Sequence, residues 1–180
     1  MRNALLVLFL FNVLTVFASG PDYTNRALRK ELERSFQLDL SSLHENTKLT
    51  KQLGHEGKLF EIKNQDNLLG YVYVGRIISC RQGSCNLSSG PSGGGESYEY
   101  FDAFIIYDVD KRVQKVKVFN YQATHGHEVC STGWLKQFMG FKSETTLVVG
   151  KNIDALSGAT ISANAITDEV NYVTKLLYRN

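Results

Sequence analysis

The chain has 180 residues, 43% of them hydrophobic and 21% charged, with 20 Lys and Arg against 18 Asp and Glu. That length suits one domain, and the composition is ordinary for a globular protein. A formal charge of +2 gives no strong pull toward nucleic acid or an anionic membrane surface.

The first stretch stands apart. Arg2 precedes "ALLVLFLFNVLTVFA", an apolar run of about fifteen residues broken by Asn12 and Thr15, the length of a signal-peptide h-region. A membrane span needs about twenty apolar residues. Residues 1–20 are therefore expected to form a signal peptide. Val16 and Ala18 suit cleavage after Ala18. Gly20 offers a second site, which the adjoining Pro21 disfavours. An uncleaved anchor helix is the alternative. No later stretch is apolar enough to span a bilayer, and no cysteine lies near for a lipid anchor.

Residues 21–57 read as a helix and a linker. In "DYTNRALRKELERSFQLDL", Leu28, Leu32 and Phe36 recur every four residues with charges between them. This is an amphipathic helix with Thr24 or Asn25 as its cap. "SSLHENTKLTKQLGHEG" is polar and reads as loop. Residues 58–180 then carry the main domain. "KLFEIKNQDNLLGYVYVGRIIS" places two apolar-alternating runs around the turn at Asn64–Asn67, which predicts a hairpin. "NLSSGPSGGGES" is a Gly/Ser-rich stretch that reads as a mobile loop and lacks the Gly-Lys-Ser/Thr ending of a P-loop. "YEYFDAFIIYDVDKRVQKVKVFNYQ" predicts a second hairpin turning at Asp108–Lys111. "ATHGHEVCSTGWLKQFMGFKS" is a loop leading to a short helix near Leu135–Phe138, and "TLVVG" is a brief extended run. In "SANAITDEVNYVTKLLY", Ala163, Ile166, Val170, Val173 and Leu177 share one helical face. The expected class is α+β: an antiparallel sheet of hairpins with an N-terminal and a C-terminal helix.

Export makes disulfides possible. Of the three cysteines, Cys80 and Cys85 bracket "RQGS", a loop short enough for a small disulfide, which leaves Cys130 odd. The spacings do not make a zinc or iron–sulfur pattern. Cys80 and Cys85 also lack the Cys-x-x-Cys spacing of a thiol-redox protein.

The chemistry concentrates in "NIDALSGATIS". Ser157, Thr160 and Ser162 surround Gly158 and Ala159 just before the last helix. A helix N-terminus presents free backbone N–H groups and a partial positive charge, which suits a phosphate. Gly158 and Ala159 would let a bulky group approach the backbone. The simpler reading is that Thr160 or Ser162 caps the helix.

"DALSGAT", Asp154 to Thr160, resembles the flavinylation motif of the FMN-binding domain family: Asp, two free positions, Ser or Thr, then Gly-Ala-Thr. Such domains occur in the C subunit of the sodium-translocating NADH:quinone reductase and the G subunit of Rnf complexes. All seven positions match, and Ile161 and Ser162 fit the common continuation. The resemblance extends over roughly residues 58–178, including the second hairpin and "LKQFMGF". Where the family has Glu-Thr-Pro-Gly, this chain has Glu128-Val129-Cys130-Ser131. His125 and Glu128 stand where the family's His and Glu are looked for. His127 is the closer neighbour of Glu128 but lacks the strict His-x-Glu spacing.

The resemblance implies FMN joined through its phosphate to the Thr160 hydroxyl, with Asp154, Ser157, Gly158 and Ala159 shaping the segment and then holding the phosphate. It implies a flavin transferase, acting with FAD and magnesium, as the modifying partner. The chain would be an exported electron carrier or redox subunit, periplasmic or at the cell surface, rather than a stand-alone enzyme. It would have an electron donor and an acceptor, for which a membrane redox complex is a candidate. Trp134, Phe138 and Tyr121 are candidate walls for the ring, with core packing as the alternative. His125, His127 and Glu128 are candidates for its polar edge. A metal cluster of these three with Cys130 is the weaker reading, because three of them crowd within four residues. A non-flavinylated ligand-binding module of the same fold is the alternative function.

Overall fold

The computed structural model describes residues 20–81 and 98–180. The expected signal peptide, the glycine-rich stretch and the Cys80–Cys85 pairing fall wholly or partly outside these residues. Among the described residues, no helix is long and apolar enough to cross a membrane.

The architecture is α+β, as expected. Five antiparallel strands lie in sequence order: β1 (Leu43–Glu45), β2 (Gly57–Asn64), β3 (Asn67–Arg81), β4 (Tyr98–Asp108) and β5 (Val113–Tyr121). Both predicted hairpins are present. The first turns over Gln65 and Asp66, with Gln65 at φ 55°. The second turns where Asp108 gathers its own loop. The Asp108 carboxylate accepts from the Arg112 backbone N–H at 2.9 Å and from Gln114 Nε2 at 2.7 Å, while Lys111 takes φ 61°. Asn and Asp side chains commonly organise turns in this way.

Residues 41–57 correct the reading of that stretch as loop. They contain β1, which adds an outer strand to β2, and a short helix α2 (Thr47–Gln52). Asn46 caps α2 by accepting from Leu49 N at 3.0 Å, and Leu49 is the residue of α2 that is buried.

The sheet is covered on both faces. Helix α1 (Arg26–Phe36) packs Leu28 and Leu32 against Ile62, Val72, Val74, Phe104 and Ile106. Asn25 is its cap, accepting from Leu28 N at 2.8 Å. Thr24 instead bonds to Asp22. On the other face lies the larger core, with Tyr73, Phe101, Ala103, Ile105, Tyr107, Val116 and Val118 beneath the last helix, α4 (Thr160–Tyr178). The five predicted α4 residues, from Ala163 to Leu177, are all buried. Each buried Val, Ile or Leu contributes roughly 1.5–3 kcal/mol, so this face fixes the helix firmly on the sheet. Strand β4 serves both cores, which is why its sequence is a nearly continuous apolar run.

One charged pair interrupts the α1 side. Arg76 bonds to the buried Asp102 carboxylate through Nε at 2.9 Å and Nη2 at 3.2 Å, its guanidinium 3.9 Å from the Tyr100 ring centroid. Asn120 Nδ2 donates to the same carboxylate at 2.7 Å. The pairing satisfies a carboxylate that burial would otherwise strongly penalise.

Candidate functional site

After β5 the chain forms a 3₁₀ turn (His127–Cys130), helix α3 (Thr132–Leu135) and a second 3₁₀ turn (Lys136–Phe138). This segment then runs along the outer edge of β5. Val113 N donates to the Phe141 carbonyl at 3.0 Å, and Gly140 N to the Val113 carbonyl at 2.8 Å. That pairing covers the β5 edge at its first residue, Val113. It also carries Trp134 and Gln137 to the segment that precedes α4.

These two residues hold Asp154 by its backbone. Trp134 Nε1 donates to the Asp154 carbonyl at 2.8 Å, and Asp154 N donates to Gln137 Oε1 at 2.9 Å. The Asp154 residue stays exposed. The Trp134 ring is buried and meets Phe138 edge-on, centroids 5.3 Å apart. Phe138 is fully buried. Trp134 and Phe138, two of the three candidate walls, therefore pack into the core, and Trp134 meets the motif through its indole N–H.

The motif itself comes to the surface. Ser157, Gly158 and Thr160 are exposed, while Ala159 between them is buried and anchors the turn. Gly158 has φ +79°, a conformation that side chains with a Cβ rarely adopt, and the space around it is open. Helix α4 begins at Thr160, two residues before the predicted start, with Ala159 at the cap position. The simpler reading of a capping hydroxyl is thus corrected. Among the described residues no side chain caps this helix. Thr160 is its first residue, and its carbonyl accepts from Asn164 Nδ2 at 2.9 Å. Ser162 is buried with its hydroxyl on Tyr121 Oη at 3.0 Å. The first-turn N–H groups carry the helix's positive end, roughly half a unit charge.

The residues 125–130 loop lies beside this turn. His125, His127 and Glu128 are exposed. The Tyr121 hydroxyl donates to the His125 carbonyl, and the His127 ring meets the Tyr121 ring edge-on at 5.3 Å. Tyr121, half-buried, also stacks on Phe101 at 5.6 Å. Cys130 is half-buried against the core, and burial pushes its thiol pKa up, partly offset by Lys117. That is the environment of a packed thiol rather than a reactive one. Among the described residues no group of His, Cys, Asp and Glu is placed to hold a metal ion.

Two contributors escaped the sequence reading. Gln137 touches the motif from 17 residues away, with no local signal. Gly126, at φ +91°, leaves room for two hydroxyls: a Cβ there would lie 2.7 Å from Ser162 Oγ and 2.9 Å from Tyr121 Oη. A glycine between two histidines was the available hint.

The arrangement is that of a small α+β domain offering a surface hydroxyl at an uncapped helix N-terminus, suited to a cofactor that carries phosphate. The model of the FMN-binding domain family matches residues 101–175, from β4 through most of α4, with the whole "DALSGAT" motif inside. Residues 101–175 are therefore similar to an FMN-binding domain. No curated protein matches it.

Proposed function

We propose that the chain is an exported electron-transfer flavoprotein that carries FMN joined through its phosphate to Thr160. One observation carries the reading. In the segment that matches the FMN-binding domain model, Thr160 is an exposed residue opening a helix whose N-terminus no side chain caps. The residues fit the cofactor's phosphate. Gly158 leaves space beside the backbone, and the first-turn N–H groups of α4 lie where an anion is favoured.

Thr160 is the nucleophile of the attachment. Its Oγ forms a bond to the phosphorus of the FMN half of FAD, the phosphoanhydride bond breaks, and AMP leaves. The hydroxyl proton passes to a base of the flavin transferase, with magnesium balancing charge on the phosphates. An unaided threonine hydroxyl is a poor nucleophile, so the transferase must supply base and metal. Asp154, fixed by Trp134 and Gln137, and Ser157 shape the strip that the transferase reads. Bound FMN supplies one- and two-electron redox chemistry, and the protein controls its access and environment. His125, His127 and Glu128 are exposed polar groups beside the same turn and suit its polar edge.

Residues 1–20 support export, to the periplasm or the cell surface. A covalent link suits that compartment, where a lost cofactor is hard to replace. A membrane redox complex is the proposed docking partner for electron exchange.

The test is the intact mass of the mature protein after co-expression with a flavin transferase, beside Thr160→Ala. A gain of one FMN residue that disappears in the variant supports the reading. An unmodified wild-type mass, while the transferase modifies another target, sinks it and leaves a ligand-binding module.

A further inference from the structure

Thr160 is exposed, yet the turn that carries it is fixed from below. Tyr121 ends β5 and Ser162 sits in the first turn of α4, 41 residues further on. The Tyr121 hydroxyl has one proton, which it donates to the His125 carbonyl. The 3.0 Å contact with Ser162 must therefore be Ser162 Oγ donating to Tyr121 Oη. Ser162 is 3% exposed, so its hydroxyl is spent on this bond and is not offered to a ligand at the surface. Gly126 fits against both hydroxyl groups through its left-handed backbone. The Tyr121 ring is restrained by stacking on the buried Phe101 at an interplanar angle of 15°. The result is a three-way tie: sheet edge, residues 125–130 loop and the first turn of α4.

No side chain caps that turn from the outside. We infer that Tyr121 and Ser162 are a positioning pair for the attachment site. Their hydrogen bond holds the first turn of α4 against the residues 125–130 loop and so fixes how Thr160 is presented. This rests on the reading of Thr160 as the attachment residue. Neither Tyr121 nor Ser162 touches the transferred phosphorus; both act through the backbone of the turn.

The experiment measures the initial rate of FMN incorporation, by intact mass, for the full mature chain with a flavin transferase, FAD and magnesium. Tyr121→Phe keeps the ring stack and removes the hydroxyl. Ser162→Ala removes the other partner and leaves the His125 bond in place. The control is Tyr107→Phe. That buried hydroxyl bonds to Thr174 on the same helix at 3.1 Å, far from the first turn, so it removes a comparable bond without touching the tie.

Tyr121→Phe and Ser162→Ala should each slow incorporation about tenfold, the effect of one misplaced hydrogen-bonded contact. The double variant should be no slower than Tyr121→Phe alone, because that change already removes the bond that Ser162→Ala removes. Tyr107→Phe should react at the wild-type rate. Amide exchange of residues 160–163 should quicken in the two tie variants and not in the control. Wild-type rates in folded Tyr121→Phe and Ser162→Ala would overturn the inference while leaving Thr160 as the attachment site. Equal slowing by Tyr107→Phe would overturn it too, since loosening the helix anywhere would then suffice. A wild-type chain that the active transferase leaves unmodified would overturn the Thr160 reading and the positioning pair with it.

Discussion

Along α4, the later turns and the first turn treat polar groups in opposite ways. In the later turns every polar side chain that goes inward finds a partner within the domain. Thr167 and Thr174 donate to the carbonyls of Ala163 and Val170 at 2.7 and 2.6 Å. Asn171 brackets Leu147, accepting from its N–H and donating to its carbonyl, both at 2.9 Å. Glu169 meets His55 Nε2 at 2.9 Å, and the Tyr172 hydroxyl donates to the Leu53 carbonyl at 2.8 Å. At the first turn Thr160 faces outward, Ile161 is half exposed and no side chain caps the backbone. Closed polar groups account for stability on their own. A turn that opens its donors to the surface, in a segment that matches the FMN-binding domain model, is where an outside group is expected. The comparison predicts that changes in the later turns alter stability, and that changes at the first turn alter modification.

The largest effect should come from Asn171→Ala. It strands a buried N–H and a buried carbonyl of Leu147 together. Each unsatisfied group costs about 1–3 kcal/mol, so a loss of about 2–4 kcal/mol is expected in urea unfolding. Folded Asn171→Ala protein should still accept FMN. A change under about 0.5 kcal/mol would mean that water replaces the bracket and that this part of the helix is less closed than described.

How much of this contrast the sequence disclosed depends on the length of the signal. The hairpins were legible because alternation over eight or more residues met turn residues such as Asn64 and Asp108. The buried face of α4 was legible from Ala163 to Leu177 for the same reason. Strand β1 has three residues and α2 six, too short for either period to register. The start of α4 was placed two residues late because serine and threonine were read as caps, whereas Ser162 faces Tyr121 and Ala159 takes the cap position. The motif was legible as a string of residues. Its supports were not, because Trp134 and Gln137 reach Asp154 only after the segment beyond β5 has paired along the sheet edge.

Gly158→Ala probes the open side more gently. A Cβ there meets open space, so the change acts through the backbone at φ +79° rather than through a clash. Stability should fall by about 1 kcal/mol. FMN incorporation should fall further than that loss explains, because relaxing the strained residue re-aims the strip before Thr160. Incorporation at the wild-type rate would separate the left-handed turn from recognition by the transferase.

The later turns also contain a titrating contact. The Glu169 carboxylate beside His55 holds the imidazole pKa above its usual 6.5, against partial burial, which lowers it. A raised folded-state pKa adds stability that is fully present below about pH 6.5 and is lost as pH rises through the folded value. His55 is a third exposed, so the contribution should stay below about 1 kcal/mol. The melting temperature of wild type should drop more than that of His55→Gln between pH 5.5 and pH 8.5. Parallel curves would remove this contact from the set of groups that close the later turns.

Thr160→Ala should have the smallest effect on the fold and the sharpest effect on modification. The residue is exposed, its side chain caps nothing, and its carbonyl bond from Asn164 survives the substitution. Alanine is also the better helix former, so stability should stay within about 0.5 kcal/mol of wild type, with a slight gain as the expected sign. The mass gain should vanish altogether, because no other hydroxyl in the motif stands at its position: Ser162 is tied inward to Tyr121, and Ser157 lies ahead of the left-handed Gly158. A variant that melts like wild type and takes up no flavin would show that one end of α4 can lose its chemistry without the other end registering it. If Thr160→Ala instead destabilised the fold by several kcal/mol, the first turn would belong with the closed part of the helix, and its exposed hydroxyl would need another explanation.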